Sequence, residues 1–530
     1  MRIRKSEQLM DTSTEQLLDI SIASFIEENW ESFIQDLDTL VRIPSTESKN
    51  RAVKGAPWGP GPRAALTEML TIAERMGFET KDLDGYLGYA QLSATKPYES
   101  NQDFSAASQD GASPVRKNPQ IGIIGHVDVV SDGPGWHFRP YELTRKEGYL
   151  IGRGVADDKG PSLAALYAMK YWKENNPGFP YDIRFLFGAN EETGMGDVPY
   201  YQARFEDPDF LFTPDASFPV CHGEKGVYNA VITSAPLVSH TLVELSGGAA
   251  SNAVPGEARA TVRVSEDVLG RYFKDGLEEL FVPCETLVQS NEALGITLIK
   301  NQSSTQDGPL LQIEVKGKSA HASTPHLGVS AIHLLVSFLV EENLVAGDEK
   351  EFLTLLCALS GASDGSGVDL ACSDEQFGAL SLVAGVVSLV ENEEGRVITQ
   401  TIDSRFPTTI TSGIITDTLK RFASACDAVV EEGHCMEPFL LDPNSPVIKA
   451  LLDSYNEVTG EERHSFTMGG ATYAREFKNA ASFGPEKAWE EKPAWVGNMH
   501  GPDEGISEAS LKEALKIYII TLEKLMHVSF

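Results

Sequence analysis

Three short apolar runs with one helix-length segment between them limit the fold of this chain more than any other feature. The runs are IGIIGHVDVV (121–130), DIRFLFGANEE (182–192) and DFLFTPDASF (209–218). Their Val, Ile, Phe and Gly content marks buried strands. Between the first two stands PSLAALYAMKYWKENN, expected to be an amphipathic helix with Pro161 in its first turn. Strands alternating with helices indicate a parallel sheet, so an α/β fold is expected.

Each run ends in polar residues: His126 with Asp128, Glu191 with Glu192, and Asp215. Polar groups are costly at buried strand ends unless they have partners. Open α/β sheets bind ligands at the carboxyl ends of their strands, so the three runs aim these groups at one crevice. Taken singly, each has an ordinary explanation, such as a solvated Glu-Glu turn or an Asp after Pro. Their convergence on one sheet edge is what counts.

With 530 residues the chain is too long for a single core, and two domains are expected. The formal net charge of -33 argues against nucleic-acid binding and favours cations. The six cysteines are scattered and form no CxxC, as in a reduced, cytoplasmic protein. Neither a signal peptide nor a membrane-spanning apolar run is read from the sequence.

Helical spacing is expected over 18–42 and over PGPRAALTEMLTIAERMGF, and a long polar loop near 97–119. From about 230 to 433 the texture changes to mixed strands and helices, read as a separate α+β domain. A small-residue loop, SGASDGSGVDLACSDE, lies within it. The last helix, SEASLKEALKIYIITLEKLM, is expected to start on a Ser510/Glu513 capping box. The division expected is 1–229 and 434–530 for the first domain, with 230–433 inserted into it.

Two glycine-containing turns add to the polar inventory. GRGVADDKGPS supplies Asp157 and NMHGPDEG supplies His500. Either could be a mere capped helix start or surface loop. Together with His126, Glu192 and Asp215 they make two imidazoles and three carboxylates without a thiolate. That donor set suits Zn²⁺, Mn²⁺ or Co²⁺ in a catalytic site, and suffices for two ions if one carboxylate bridges. Asp128, two residues after His126, is expected on the same strand face, orienting the imidazole.

The ordered motifs GHVDVV with Gly135-Trp136, GRGVADDKGP, NEETG, FTPDASFPVCHGEKG, SNAVPG, KGKSAHASTP, SRFP, GGATYAR and MHGPDE span nearly the whole chain. This set resembles the M20 family of metallopeptidases, and within it the PepV-like, carnosinase-like dipeptidase branch. The resemblance implies a zinc-peptidase catalytic domain with an inserted lid domain and two divalent metal ions, Zn²⁺ foremost. His126 and Asp215 would hold one ion, Glu192 and His500 the other, with Asp157 bridging. Glu191 would be the general base beside a metal-bound hydroxide, and the Asp157–Asp158 peptide is expected to be cis. His321 would stabilise the oxyanion, Arg405 would clamp the substrate's free carboxylate, and Asn252, Gly469 and Gly470 would complete substrate binding. Structural roles remain open for two of these: Arg405 pairing with Asp403, and His321 capping a strand.

The implied activity is dipeptide hydrolysis, by a monomer rather than a homodimer. Deacylation of N-acyl amino acids is the alternative, because the same ligands serve any amide. An idle scaffold would show a missing ligand or base, and none is missing. Two features depart from the family pattern: the lengthened segments near 97–119 and 360–375, and His137 where an acidic or polar residue is usual.

Overall fold

The computed structural model of the protein describes residues 2–96, 118–175, 178–273, 277–283, 294–305, 308–393 and 395–528. The polar segment expected near 97–119 lies almost wholly outside them. The chain forms two compact units. The first comprises Met1–Gly223, Leu440–Phe466 and Ala471–Phe530; the second comprises Glu224–Phe439 and Thr467–Gly470. The second unit begins before residue 230 and ends after 433 because the strand Gly226–Thr233 pairs with Gly395–Phe406 and with Val429–Met436.

The first unit opens with helix α1 (Arg2–Val41). Its buried residues Ile22, Ile26, Phe33, Leu37 and Leu40 recur at helical spacing and form one apolar stripe. Helix α2 (Pro60–Arg75) starts on Pro60 and Pro62, whose fixed φ suits a first turn. Strands β1 (Glu79–Leu83) and β2 (Leu87–Leu92) form a hairpin, followed by β3 (Gln120–His126). Two short strands, β4 (Thr144–Lys146) and β5 (Tyr149–Ile151), precede helix α3 (Lys159–Asn175). Strand β6 (Asp182–Gly188), helix α4 (Val198–Gln202) and strand β7 (Phe210–Thr213) follow.

The main sheet runs β1, β2, β6, β3, β7 and then Ala480–Ser482. Strand β3 is parallel to both β6 and β7, as the alternation required, while β2 meets β6 antiparallel. Helix α3 differs from the amphipathic expectation. It is buried from Lys159 through Met169 and again at Tyr171 and Trp172. It makes its contacts with β3 on one side and with α1 and the last helix on others, so little of its surface meets water. The last helix, Glu508–Leu525, is capped by Ser507, not Ser510: the Ser507 side chain accepts the Ser510 amide. Glu508 is thereby in the first turn, where it accepts from Trp30 Nε1 and pairs with Arg145.

The second unit is α+β. A nine-stranded sheet carries Ser381–Asn392 and Gly395–Phe406 near its centre. Helices Ala331–Glu341 and Gly347–Ser360 share its apolar core through Leu335, Leu339, Leu353 and Leu356. The small-residue loop resolves into a short 3-10 turn, Ser366–Val368, and a hairpin of Ser373–Asp374 with Gly378–Ala379.

Candidate metal centre

Strand β3 is buried along its whole length, and its last residue, His126, is 0% exposed. Its two parallel neighbours lie on opposite sides, so the chain reverses its order of laying strands at β3. Such a point opens a crevice at the carboxyl ends. The turn after β6 brings Glu191 and Glu192 there, and the residues after β7 bring Asp215. Asp157 arrives from the turn between β5 and α3, joined to Asp158 by a cis peptide as expected. His500 arrives from the loop before the last helix.

Gly125 explains how α3 comes so close. A Cβ on it would lie 1.9 Å from Ser162 Oγ and 2.5 Å from Asp158 Oδ2. Only a bare backbone lets the first turn of α3 meet β3 next to His126.

The five residues expected as ligands lie close together. His126 Nε2 lies 2.9 Å from Asp157 Oδ1 and 3.5 Å from Asp215 Oδ2. His500 Nε2 lies 2.8 Å from Asp157 Oδ2 and 3.1 Å from Glu192 Oε2. Two donor groups result, His126–Asp157–Asp215 and Asp157–Glu192–His500, each with its ligand atoms within 4.8 Å of one another. Asp157 belongs to both and turns one oxygen to each.

The histidines and carboxylates of the cluster shift one another's titration. Burial works to lower the His126 imidazole, but Asp128, Asp157 and Asp215 outweigh it and hold it well above its usual value. Hydrogen bonds to Asp157 and Glu192 push His500 up to about 11. Burial opposes ionisation of Asp157, yet the two histidines hold it below the usual carboxylate range. Burial, with the field of Asp157, raises Glu192 to about 7. Burial, then Asp215, pushes Glu191 well above the ordinary carboxyl value. Two imidazoles and three carboxylates gathered this closely are donors of the kind divalent cations use.

Asp128 meets the His126 ring as expected and has a second task. Asp128 lies beyond the end of β3, and His126 Nδ1 meets its main-chain oxygen at 2.9 Å, with Oδ1 farther off at 3.5 Å. The Asp128 carboxylate also accepts the backbone N–H groups of Glu191 and Glu192. Other supporting residues escaped the sequence reading. Asp158 Oδ2 accepts the His126 N–H at 3.1 Å. Arg153 and Glu504 form a buried pair behind the Asp157 turn. Both stand in motifs noted for another residue, and a charge inside a glycine-containing turn was the signal available. His137 also finds its account: Nδ1 is 2.6 Å from Asp503 Oδ2, and Asp503 Oδ1 accepts the His137 and Phe138 amides.

The remaining expected residues stand together in the second unit. The Asn252 carbonyl accepts the Ala322 amide, and Ala253 pairs with His321 in a two-residue bridge of strands. His321 Nδ1 is 2.7 Å from Ser323 Oγ. A Cβ on Gly469 would lie 2.9 Å from Ser323 Cβ. Arg405 does pair with Asp403, Nε to Oδ1 at 2.9 Å and Nη2 to Oδ2 at 3.0 Å, while Nη1 donates to the Gly469 carbonyl at 3.4 Å. Gly470 follows Gly469 in the same strip.

Residues 122–524 match the description "Peptidase family M20/M25/M40". "Putative dipeptidase YtjP" of Bacillus subtilis (strain 168) is 30% identical over 499 residues, covering 92% of this chain and 96% of the relative. "Beta-Ala-Xaa dipeptidase" of Lactobacillus delbrueckii subsp. lactis is 29% identical over 462 residues, covering 86% and 89%. The fold is similar to that of human carnosine dipeptidase 1, with a TM-score of 0.54 at 14% identity over 96% of this chain and 99% of that one. A match of that extent leaves no room for a different assignment: the chain belongs to peptidase family M20/M25/M40 and is a metal-dependent hydrolase.

Proposed function

We propose that the protein is a dipeptidase that cleaves the peptide bond of dipeptides with a free C-terminal carboxylate. The observation that carries this reading is Asp157, whose two oxygens face the Nε2 atoms of His126 and His500. A carboxylate shared by two His/carboxylate groups fits two divalent ions, Zn²⁺ foremost, with Mn²⁺ and Co²⁺ able to use the same donors. Bound there, the ions would polarise a scissile carbonyl and acidify water. The names of the two relatives quoted above support the choice of dipeptides.

Glu191 is the group that moves protons. Asp128 fixes its backbone, and its raised carboxyl pKa suits a base that takes a proton from water and returns it to the leaving nitrogen. Asp403 takes the Nε–Nη2 edge of Arg405, so the substrate carboxylate is assigned to the Nη1 edge beside Gly469. Asn252 and Gly470 are assigned to the same substrate, and His321 to the carbonyl oxygen as charge develops on it. The second unit is assigned the part of a lid. The enzyme is proposed to act as a cytoplasmic monomer, in keeping with Cys357, Cys372, Cys426 and Cys435, which are thiols among the described residues. Among the described residues no helix is long and apolar enough to cross a membrane.

The deciding experiment strips the protein with chelator, reloads it with Zn²⁺, Mn²⁺ or Co²⁺, and assays dipeptides beside matched N-acetyl amino acids. Metal-dependent cleavage of the dipeptides is expected. Cleavage of the acetylated compounds alone would assign the chain to deacylation and leave Arg405 and His321 without their roles.

A further inference from the structure

The loop that carries His500 has little regular structure to hold it. His500 and Asp503 both have left-handed backbones, with φ of 62° and 57°. Such conformations cost energy outside glycine and persist only where the surroundings impose them. His500 is also the exposed ligand, its side chain 54% accessible where His126 is 0%.

The surroundings that impose this loop are a buried ion pair. Arg153 Nη1 donates to Glu504 Oε2 at 2.6 Å, and each side chain is 1% exposed. Glu504 Oε1 accepts the backbone N–H groups of Gly154, Ala156 and Asp157 at 3.0, 3.0 and 3.2 Å. Arg153 Nη2 donates to the carbonyls of Ser131 and Asp132 at 3.3 Å and to that of His500 at 3.4 Å. The sheet register brings the two charges together, because Gly505 pairs with Ile151 immediately beside them. One carboxylate oxygen thus sets the backbone of Asp157, and one guanidinium nitrogen sets that of His500.

The other donor group meets this pair through the shared Asp157, not through its histidine. His126 is fixed by the Asp158 carboxylate at its amide and by the Asp128 carbonyl at its ring. Stability alone is a poor reason for a buried ion pair, since apolar residues of similar volume commonly serve as well. Its value lies in geometry, as with partners that orient metal ligands from behind.

We infer that Arg153 and Glu504 are positioning residues that set the Asp157–Glu192–His500 group for its metal ion, and that they reach the His126–Asp157–Asp215 group through the shared Asp157 alone. The inference rests on the two-ion reading above.

The test is titration of the chelator-stripped full chain with Zn²⁺ against a chromophoric competitor, with circular dichroism to confirm the fold. Wild type is expected to take two ions. Glu504→Gln is expected to weaken both ions through Asp157, one of them at least about tenfold more than the other. Arg153→Lys keeps the charge but loses the planar fork, and is expected to show the same unequal loss. It decides the matter should Glu504→Gln not fold. The neutral double variant Arg153→Met/Glu504→Gln is expected to stay deficient. Two ions at wild-type affinity, equal weakening of both, or recovery in the neutral double variant would each overturn the inference. A wild type that takes only one ion would overturn the two-ion reading first, and this inference with it.

Discussion

The carboxylate of Asp128 accepts the backbone amide of Glu191 on Oδ1 and that of Glu192 on Oδ2, each at 3.2 Å. One side chain at the end of β3 therefore sets both residues that the turn after β6 presents, the proposed base and a proposed ligand. Asp128→Asn keeps the size but can accept only one of the two N–H groups, and its own amide hydrogens face the other. Because misplacement of about 1 Å can cost on the order of a hundredfold, kcat is expected to fall about tenfold to a hundredfold. Steady-state kinetics with metal content measured in parallel would check this, and an unchanged kcat would remove Asp128 from the argument.

Glu191 and His126 separate chemistry from metal binding. Glu191 is in neither donor group, whereas His126 is a member of one. Glu191→Gln is expected to lower kcat by roughly 10²- to 10⁴-fold, the range for loss of a general base, while metal content stays near wild type. His126→Ala is expected to lose metal as well as turnover. Wild-type turnover in Glu191→Gln would show the assigned base to be wrong.

Gly125 is the residue whose absence of a side chain the site requires. Gly125→Ala forces its Cβ against Ser162 Oγ and Asp158 Oδ2, and so against the acceptor of the His126 amide. Overpacking of this kind costs about 1–3 kcal/mol. The expected result is a lower thermal midpoint together with weakened metal binding. A variant as stable and as metal-loaded as wild type would mean that α3 shifts freely, against the contacts seen.

How much of this was legible in the sequence follows from how far each interaction reaches. His126, Glu192 and Asp215 could be read locally, because each follows an apolar run where a polar group needs a reason to be. Parallel pairing of β3 with β6 could be read from the helix between them. Glu504 could not, since its charge partner lies 351 residues away and both stand in turns that tolerate charge. That Asp128 meets the His126 ring could be read from its position, but its bonds to the Glu191 and Glu192 amides could not, since those lie 63 and 64 residues on. The cap on the last helix was placed three residues late, since Ser507 and Ser510 are both plausible and only the hydrogen bond distinguishes them. The return of Thr467–Gly470 to the second unit leaves no compositional trace.

Asp197 gives the fold a pH dependence with a definite sign. It is fully buried, its Oδ2 accepts the Ala189 amide at 2.8 Å and the Tyr473 hydroxyl at 2.6 Å, and burial raises its carboxyl to about 6. An acid whose folded pKa exceeds its unfolded value binds an extra proton on folding. The cost of ionising it is therefore absent at low pH, grows from about 4 and is complete above about 6. At 1.36 kcal/mol per unit this amounts to about 3 kcal/mol at neutral pH. Asp197→Asn removes the titration, so its stability relative to wild type should rise with pH across that window. Denaturation midpoints of the two proteins from about pH 4 to about pH 7 would show it, and a constant difference would exclude it.

The segment near 360–375 has a mechanical consequence in the second unit. Its hairpin is held by Asp374: Oδ1 accepts the amides of Gln376 and Phe377 at 3.0 and 2.6 Å, and Oδ2 accepts the amide and hydroxyl of Thr408 at 2.9 and 2.7 Å. The hairpin in turn offers the Gln376 carbonyl to Thr467 Oγ1 at 2.5 Å and the Ala379 carbonyl to Lys225 Nζ. Lys225 completes the frame, its amide donating to the Met468 carbonyl at 2.9 Å. The strip Thr467–Gly470, which bears the glycines assigned to the substrate carboxylate, is thus held by a segment with no chemistry of its own. Asp374→Ala removes four acceptor contacts and loosens the hairpin, without touching the metal ligands or Glu191. An interaction made equally with substrate and transition state shows in KM rather than kcat. The expected result is a KM for dipeptides raised about tenfold with kcat within about twofold of wild type. A fall in kcat at unchanged KM would place the hairpin's effect on the chemistry instead, and an unchanged KM and kcat would leave the strip independent of it.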